Sequence, residues 1–163
     1  MKRNILPNFT KGFTLIELLL VMGAIGMISV IGISTFIGYS RNNALSQATS
    51  DFVNGLNTVK SKAYSQVKPV AIASCVNGEL DGYGVKWTTA SSYALIVRCS
   101  GVDTTLPLST VTLKNITLAP ASRTIFFRVY TGGVLGVGDV TISNTFGNSK
   151  TVNVSSAGVI KVL

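Results

Sequence analysis

The chain has 163 residues and a formal net charge of +8, yet only 12% of its residues are charged and its mean hydropathy is +0.46. This length allows one domain in addition to a membrane anchor. Histidine is absent, which removes the commonest acid–base residue and metal ligand. Two cysteines without histidine make a poor zinc site. We therefore predict a protein that is not an enzyme and that uses no metal or cofactor.

A long apolar segment near the N-terminus is the first predicted element. Residues 18–40 contain no charged side chain, and this run exceeds the roughly 20 residues that an α-helix needs to cross a bilayer. A secretory signal would be shorter and would end at a small-residue cleavage site. A buried core helix is seldom apolar for so long. With three basic residues before the run, we predict a single-pass helix over 13–39 with a cytoplasmic N-terminus and an exported head.

The segment just before this run carries a specific motif. Residues 11–17 read KGFTLIE and resemble the cleavage motif of type IV prepilins and pseudopilins. The resemblance implies that a membrane peptidase, the prepilin peptidase, cuts after Gly12 and that the new N-terminal residue, Phe13, is N-methylated. Residues 1–12 would then be the leader peptide, and the apolar segment would be retained as the assembly helix.

Glu17 is the one acid at the edge of the apolar run. A carboxylate inside a membrane helix costs on the order of 3 kcal/mol and calls for a partner. The resemblance implies a pairing between Glu17 and the N-terminal amine of a neighbouring subunit. The alternative is that Glu17 reaches the lipid headgroups and pairs with nothing specific.

Residues 40–68 continue the helix with an amphipathic pattern, and Pro69 is expected to end it. Apolar residues recur there at three- and four-residue steps, and we expect this stripe to face the domain that follows or a coiled-coil partner. Its members are Leu45, Ala48, Phe52, Leu56, Val59, Ala63 and Val67.

From residue 69 onward the pattern predicts short strands separated by turns, the last two forming a hairpin with one buried face. The predicted fold class is α+β: a long N-terminal helix, transmembrane and then amphipathic, packed on an antiparallel β-sandwich-like head over 69–163. The predicted strands are Val70–Cys75, Tyr83–Thr88, Tyr93–Cys99, Val111–Leu118, Thr124–Tyr130, Asp139–Ser143, Thr151–Ser155 and Val159–Leu163. Predicted turns include Asn77-Gly78, Asp81-Gly82, Gly132-Gly133, Asn148 and Ala157-Gly158.

Cys75 and Cys99 each end a predicted strand. In an exported domain they can form a disulfide between neighbouring strands, which would stabilise the fold by about 3 to 4 kcal/mol. Two free buried thiols are the alternative.

The head extends the family resemblance. The helix end at 61–63, the segment 68–70 and the ending 151–162 are similar to those of the H-type minor pseudopilins of type II secretion and of related minor type IV pilins. The resemblance implies a structural subunit of a secretion or pilus fibre, located in the inner membrane and then in the fibre. The implied partners are other pilin or pseudopilin subunits, the prepilin peptidase, the inner-membrane assembly platform and membrane lipid.

Two other functions stay open. A DNA-binding pilin for uptake of DNA is the first, because residues 41–163 carry eleven basic and five acidic residues. The basic residues are scattered, however, and the turn around Gly158 lacks the arginines of DNA-uptake relatives, so nucleic acid is not the favoured partner. The second is an anchored binding domain with no role in a fibre. Nothing in the sequence distinguishes a secretion system from a pilus or a competence machine.

Overall fold

The structure is a computed structural model that describes residues 12–163, apart from the side chains of residues 30–35. Residues 1–11 of the predicted leader lie outside the described part. The chain divides into two units, Met1–Ser40 and Arg41–Leu163. The helices and strands are, in chain order, α1 (Leu15–Ser65), α2 (Ala73–Val76), β1 (Leu80–Thr89), β2 (Ser92–Cys99), β3 (Val102–Thr112), β4 (Ile116–Ala119), β5 (Arg123–Arg128), β6 (Val134–Leu135), β7 (Gly138–Asn144), β8 (Ser149–Val154) and β9 (Ile160–Val162).

The first part of α1 exposes apolar side chains on every side. Between Leu15 and Ile28 each large apolar side chain is exposed, from 50% at Val21 to 80% at Leu15. In the part of the chain that the structure describes, no helix is both long and apolar enough to cross a membrane. The membrane-spanning prediction for 13–39 is therefore not confirmed. The side chains of residues 30–35, in the middle of that predicted span, are outside the described set.

From Arg41 onward α1 has one buried face. The predicted stripe is confirmed over most of its length, since Phe52, Leu56 and Val59 are at most 1% exposed. Val67, the last predicted member, lies beyond the helix and is exposed. The buried hydroxyl of Thr49 on this face donates to the Leu45 carbonyl at 2.8 Å, so its polar group is satisfied within the helix.

The segment after α1 differs from the prediction. Gln66 has a left-handed backbone, φ 53°, where the helix ends. The strand predicted over Val70–Cys75 is wrong: Ile72 is extended, and the short helix α2 follows it. The Ile72 carbonyl accepts from the N–H groups of Cys75 and Val76, so a turn of helix satisfies the backbone there without a neighbouring strand.

One sheet has five antiparallel strands in the order β3-β2-β1-β5-β6. The predicted Asp81-Gly82 turn is wrong, because both residues lie within β1 at a shift of register. The predicted strand Val111–Leu118 is also wrong as one element. It is divided between β3 and β4, with Asn115 at φ 59° in between. The left-handed backbone of Asn115 redirects the chain between the two strands.

The other sheet has four antiparallel strands in the order β4-β7-β8-β9. The predicted terminal hairpin is confirmed as the pair β8–β9. Its buried face is narrower than predicted. Val152 and Val154 are buried, but Val162 is 45% exposed, so β9 covers the core with Ile160 alone.

A single core cluster joins α1 to both sheets. It contains Phe52 from the helix, Trp87 from the five-stranded sheet and Val140 from the four-stranded sheet. The Phe52 ring meets the rings of Trp87 and Tyr93 edge-on, with centroids 5.8 and 5.2 Å apart. Such contacts between aromatic edges and faces add to the burial energy. The fold is α+β with two antiparallel sheets, and this part of the predicted fold class is confirmed.

The two cysteines are joined in a disulfide. Cys75 and Cys99 are fully buried, and their Cα atoms are 5.1 Å apart. The bridge links α2 to the end of β2, not two strands as predicted, because Cys75 belongs to a helix. It ties the segment after α1 to the five-stranded sheet.

Candidate functional site

The residues of the predicted cleavage motif lie at the beginning of α1. The helix starts at Leu15, and the Glu17 N–H donates to the Thr14 hydroxyl at 3.3 Å. Thr14 is thus the N-cap, and a Thr followed three residues later by Glu is the capping-box pattern. Gly12 and Phe13 precede the cap. A cut between them leaves the helix and its first hydrogen bonds intact.

The bond between Gly12 and Phe13 is accessible. Both residues are exposed, Phe13 to 81%. A Cβ added to Gly12 would meet nothing within 4 Å. Any requirement for glycine at this position would therefore come from the enzyme that binds the segment, since the fold of this chain does not impose it.

Glu17 is exposed in the first turn of α1, among apolar neighbours. Its carboxylate lies near the positive end of the helix dipole, a favourable place for an anion. Among residues 12–163 it makes no salt bridge.

The apolar surface that follows Glu17 has a shallow recess of about 430 Å³, formed where Gly23 and Ala24 replace larger side chains. Small residues on a helix allow a neighbouring helix to approach closely. Ser29, a polar residue within the run, donates its hydroxyl to the Ile25 carbonyl at 2.8 Å. That hydrogen bond satisfies the hydroxyl within the helix itself. The recess is lined by Ile16, Leu19, Leu20, Gly23, Ala24 and Met27.

The outer face of the five-stranded sheet carries a charged cluster. Asp103 accepts from Arg98 Nε at 2.6 Å and from Lys86 Nζ at 3.3 Å. The hydrogen bond from Arg98 holds the pKa of Asp103 below its ordinary value, and Lys86 acts in the same direction. The Arg98 guanidinium also lies over the Phe126 ring, 4.5 Å from its centre.

Phe126 is buried on this outer face, away from the main core, and sequence reasoning missed it. Its ring lies across Gly82 and Gly84, where an added Cβ would come within 2.8 and 3.1 Å of ring atoms. The alternating glycines in β1, opposite an aromatic residue of β5, are the signal that could have found this arrangement.

A recess of about 370 Å³ lies beside Phe126. Two arginines, Arg98 and Arg128, and two acids, Glu79 and Asp81, contribute to its lining. Asp81 Oδ2 also accepts the Gly101 N–H at 2.7 Å. The balance of charges gives this recess no preference for an anion.

Many basic side chains of the head form hydrogen bonds or salt bridges with other residues of the head. Arg98 and Lys86 bind Asp103, and others donate to backbone or hydroxyl oxygens. A basic surface that binds phosphates needs cations that are free and clustered. The basic residues with contacts inside the head are Lys60, Lys68, Lys86, Arg98, Arg123 and Lys150.

Comparison of the chain with protein-family models, with curated proteins and with solved structures finds no match. The resemblance to prepilins therefore depends on the residues of the sequence, and above all on the segment that contains Gly12, Phe13 and Glu17.

Proposed function

We propose that this chain is a prepilin-type structural subunit, a minor pseudopilin or minor pilin. Prepilin peptidase cuts it after Gly12, and Phe13 is then N-methylated. The helix over 13–39 anchors the precursor in the inner membrane and later packs with other subunits in a secretion or pilus fibre. The protein is a substrate of the peptidase and not an enzyme.

The exposed apolar start of α1 is the observation that carries this proposal. A helix that is apolar on all sides is stable only when lipid or protein surrounds it. Nothing in the described residues covers Leu15–Ile28. A fibre subunit meets this requirement twice, first with lipid and then with the helices of its neighbours.

The geometry around Gly12 suits processing. Hydrolysis of the Gly12–Phe13 bond would release the basic leader and leave a new ammonium group on Phe13. That ammonium would lie next to the positive end of α1, which is an unfavourable place for a cation. Glu17, one turn away, supplies the opposite charge for this amine or, as proposed for assembly, for the amine of a neighbouring subunit.

The head has the complementary role. Its two sheets cover the apolar stripe of residues 45–63, so this stripe is not available to other subunits. The partners proposed for 13–39 are lipid, other pilin or pseudopilin helices and the assembly platform. The head would face the periplasm or the outside of the fibre.

Intact-mass spectrometry of the protein from its native membrane tests the proposal. We expect the mass of residues 13–163 with one added methyl group. In cells without active prepilin peptidase, the mass should be that of the whole chain. A chain that keeps its leader beside an active peptidase would contradict the proposal and would favour a plain anchored binding domain.

The variant Gly12→Ala sharpens this test. We expect it to retain the leader and to be missing from fibres, because the peptidase should not accept the added methyl group. Gly38→Ala is the matched control, since its added methyl also meets nothing within 4 Å. Gly38→Ala should be cut normally. If both variants are cut equally well, Gly12 is not required for cleavage by the peptidase.

Glu17→Ala addresses assembly separately from processing. We expect membrane insertion to persist and incorporation into fibres to fall, because the partner of the Phe13 amine is lost. Glu79→Ala, which removes an exposed acid of the head, should assemble normally. Fibres that form equally well with Glu17→Ala would show that the charge pairing is not needed.

A further inference from the structure

The turn between β7 and β8 approaches the beginning of the second unit. The Arg41 guanidinium lies over the Phe146 ring, 3.6 Å from its centre. Asn148 Nδ2 donates to Asn42 Oδ1 at 2.7 Å, and Lys150 Nζ donates to Ser46 Oγ at 3.0 Å. Three contacts thus hold this turn against residues 41–46 of α1.

Hydrogen bonds within the turn define the shape of its tip. The Asn144 carboxamide oxygen accepts from the N–H groups of both Phe146 and Asn148, each at 3.0 Å. Gly147 provides the left-handed residue, φ 90°, that the turn requires. Phe146 nevertheless remains 53% exposed. The turn therefore presents a large aromatic residue that the head only partly covers.

The charges around this turn have one sign. No acidic residue occurs in 18–50 or in 140–163, whereas Arg41 and Lys150 are basic. Basic side chains combined with Trp, Phe or Leu are typical of segments that lie in the layer between a bilayer's hydrocarbon and water. The ring there lies at the level of the headgroups, and the cation meets lipid phosphate.

We infer that the Phe146 turn, together with Arg41, is a docking surface for the headgroup layer of an anionic phospholipid bilayer. This inference rests on the proposed membrane insertion of residues 13–39. Arg41 follows the end of that span by two residues, so its guanidinium lies at the membrane surface. The stacked Phe146 ring lies there as well, and the head is held to the membrane at a second point beside its helix.

Tryptophan depth measurements on the full chain in phosphatidylglycerol-containing vesicles test the inference. Phe146→Trp places a reporter in the turn, and Tyr130→Trp is the matched control. Tyr130 is 80% exposed and follows β5, which packs near Tyr64 at the other end of the helix segment. Tyr64 is 23 residues beyond Arg41, or about 35 Å along the helix. Trp87, the chain's own tryptophan, is buried and contributes equally to all samples.

We expect Phe146→Trp to emit at shorter wavelength and to lose more intensity than Tyr130→Trp when the lipids are brominated near the headgroup. Adding Arg41→Gln to Phe146→Trp should reduce that loss. Adding Lys62→Gln should not, because Lys62 is an exposed cation in the last turn of α1, about 30 Å further along the helix. Vesicles of phosphatidylcholine alone should give a smaller loss than anionic vesicles.

Two results overturn the inference in distinguishable ways. If the chain stays with the vesicles but the two tryptophan variants are quenched equally, the docking surface is wrong and the proposed function is unaffected. If the chain does not stay with the vesicles at all, membrane insertion and the docking surface are both wrong.

Discussion

The two parts of α1 differ in what surrounds their apolar side chains. Leu19 and its neighbours in the first unit are exposed on all sides, whereas Phe52 and Leu56 in the second unit are buried by the sheets. The difference follows from pattern. An apolar stripe on one face of a helix can be covered by its own domain, but an all-round apolar surface cannot. The first part therefore requires partners, and the second part requires only the head.

Truncating one large apolar residue in each part gives the largest expected contrast. Phe52→Ala should lower the free energy of unfolding of the head by about 3 to 5 kcal/mol, because it leaves a cavity beside Trp87 and Tyr93. Leu19→Ala should leave head stability unchanged, because Leu19 is exposed and is not part of the core of the head. Urea titration of the full chain in detergent, followed by Trp87 fluorescence, measures both. Equal losses of unfolding free energy in the two variants would contradict the proposed difference between the two parts of α1.

Removing the disulfide should have the next largest effect. The loss of stability should be confined to the head. The bridge closes a loop with a sequence separation of 24, so Cys75→Ala with Cys99→Ala should destabilise by about 3 to 4 kcal/mol. Thermal unfolding with and without reductant is the measurement. Reductant should lower the wild-type midpoint and leave the double variant unchanged. If reductant does not change the wild-type unfolding midpoint, the disulfide is not formed in solution.

Gly84→Ala tests the outer face of the five-stranded sheet. The added Cβ would lie 2.5 Å from the Ile125 carbonyl oxygen and 3.1 Å from the Phe126 ring, so we expect a loss of about 1 to 3 kcal/mol from overpacking. Gly133→Ala is the control, because its nearest contact is the Thr131 hydroxyl at 3.4 Å. If the unfolding midpoints of the two variants agree, the close approach to Phe126 is not a constraint.

The smallest predicted effect concerns Asp103. Its pKa in the folded state lies below the ordinary value of 3.8, mainly through Arg98. Its stabilising contribution is therefore complete above that ordinary value and is lost as pH falls through the folded pKa. Asp103→Asn should cost about 1 kcal/mol at neutral pH, since the cluster is partly exposed.

Urea midpoints at about pH 6 and about pH 3 test this pH dependence. The wild type should lose more stability than Asp103→Asn between the two conditions. If both proteins lose the same amount of stability, the sensitivity to acid comes from other carboxylates.

Sequence reasoning succeeded where a pattern is regular and local. The three- and four-residue spacing of Leu45, Phe52, Leu56 and Val59 predicted the buried face of α1, and alternation predicted the β8–β9 hairpin. Gly55 lies in the interior of α1, where glycine is intrinsically unfavourable. The structure supplies a reason for this glycine: an added Cβ would lie 3.3 Å from Leu95. Glycine here allows β2 to approach the helix.

The errors arose where tertiary contacts override local preference. Val70–Cys75 contains two strong β-formers, Val70 and Ile72, yet no strand pairs with it, and Cys75 lies in α2, where it is bonded to Cys99. Asp81-Gly82 has turn composition, yet Gly82 lies in β1 because the Phe126 ring occupies the space of its missing side chain. At the candidate site the cleavage motif was read from the sequence, and the Thr-x-x-Glu spacing is a signal that could also have predicted the Thr14 cap. The Arg41–Phe146 contact joins residues far apart in sequence, and no local pattern predicts it.

The contacts between α1 and the last strands have a consequence for biosynthesis. Lys60 Nζ donates to the Gly158 carbonyl at 2.8 Å, and Lys150 Nζ donates to the Ser46 hydroxyl, across separations of 98 and 104 residues. Contacts so distant in sequence form late. During translation the apolar stripe of α1 emerges before any of the strands that cover it, and the last of these strands follow about a hundred residues later. The nascent chain must therefore be kept from aggregating until residues 150–158 have been synthesised.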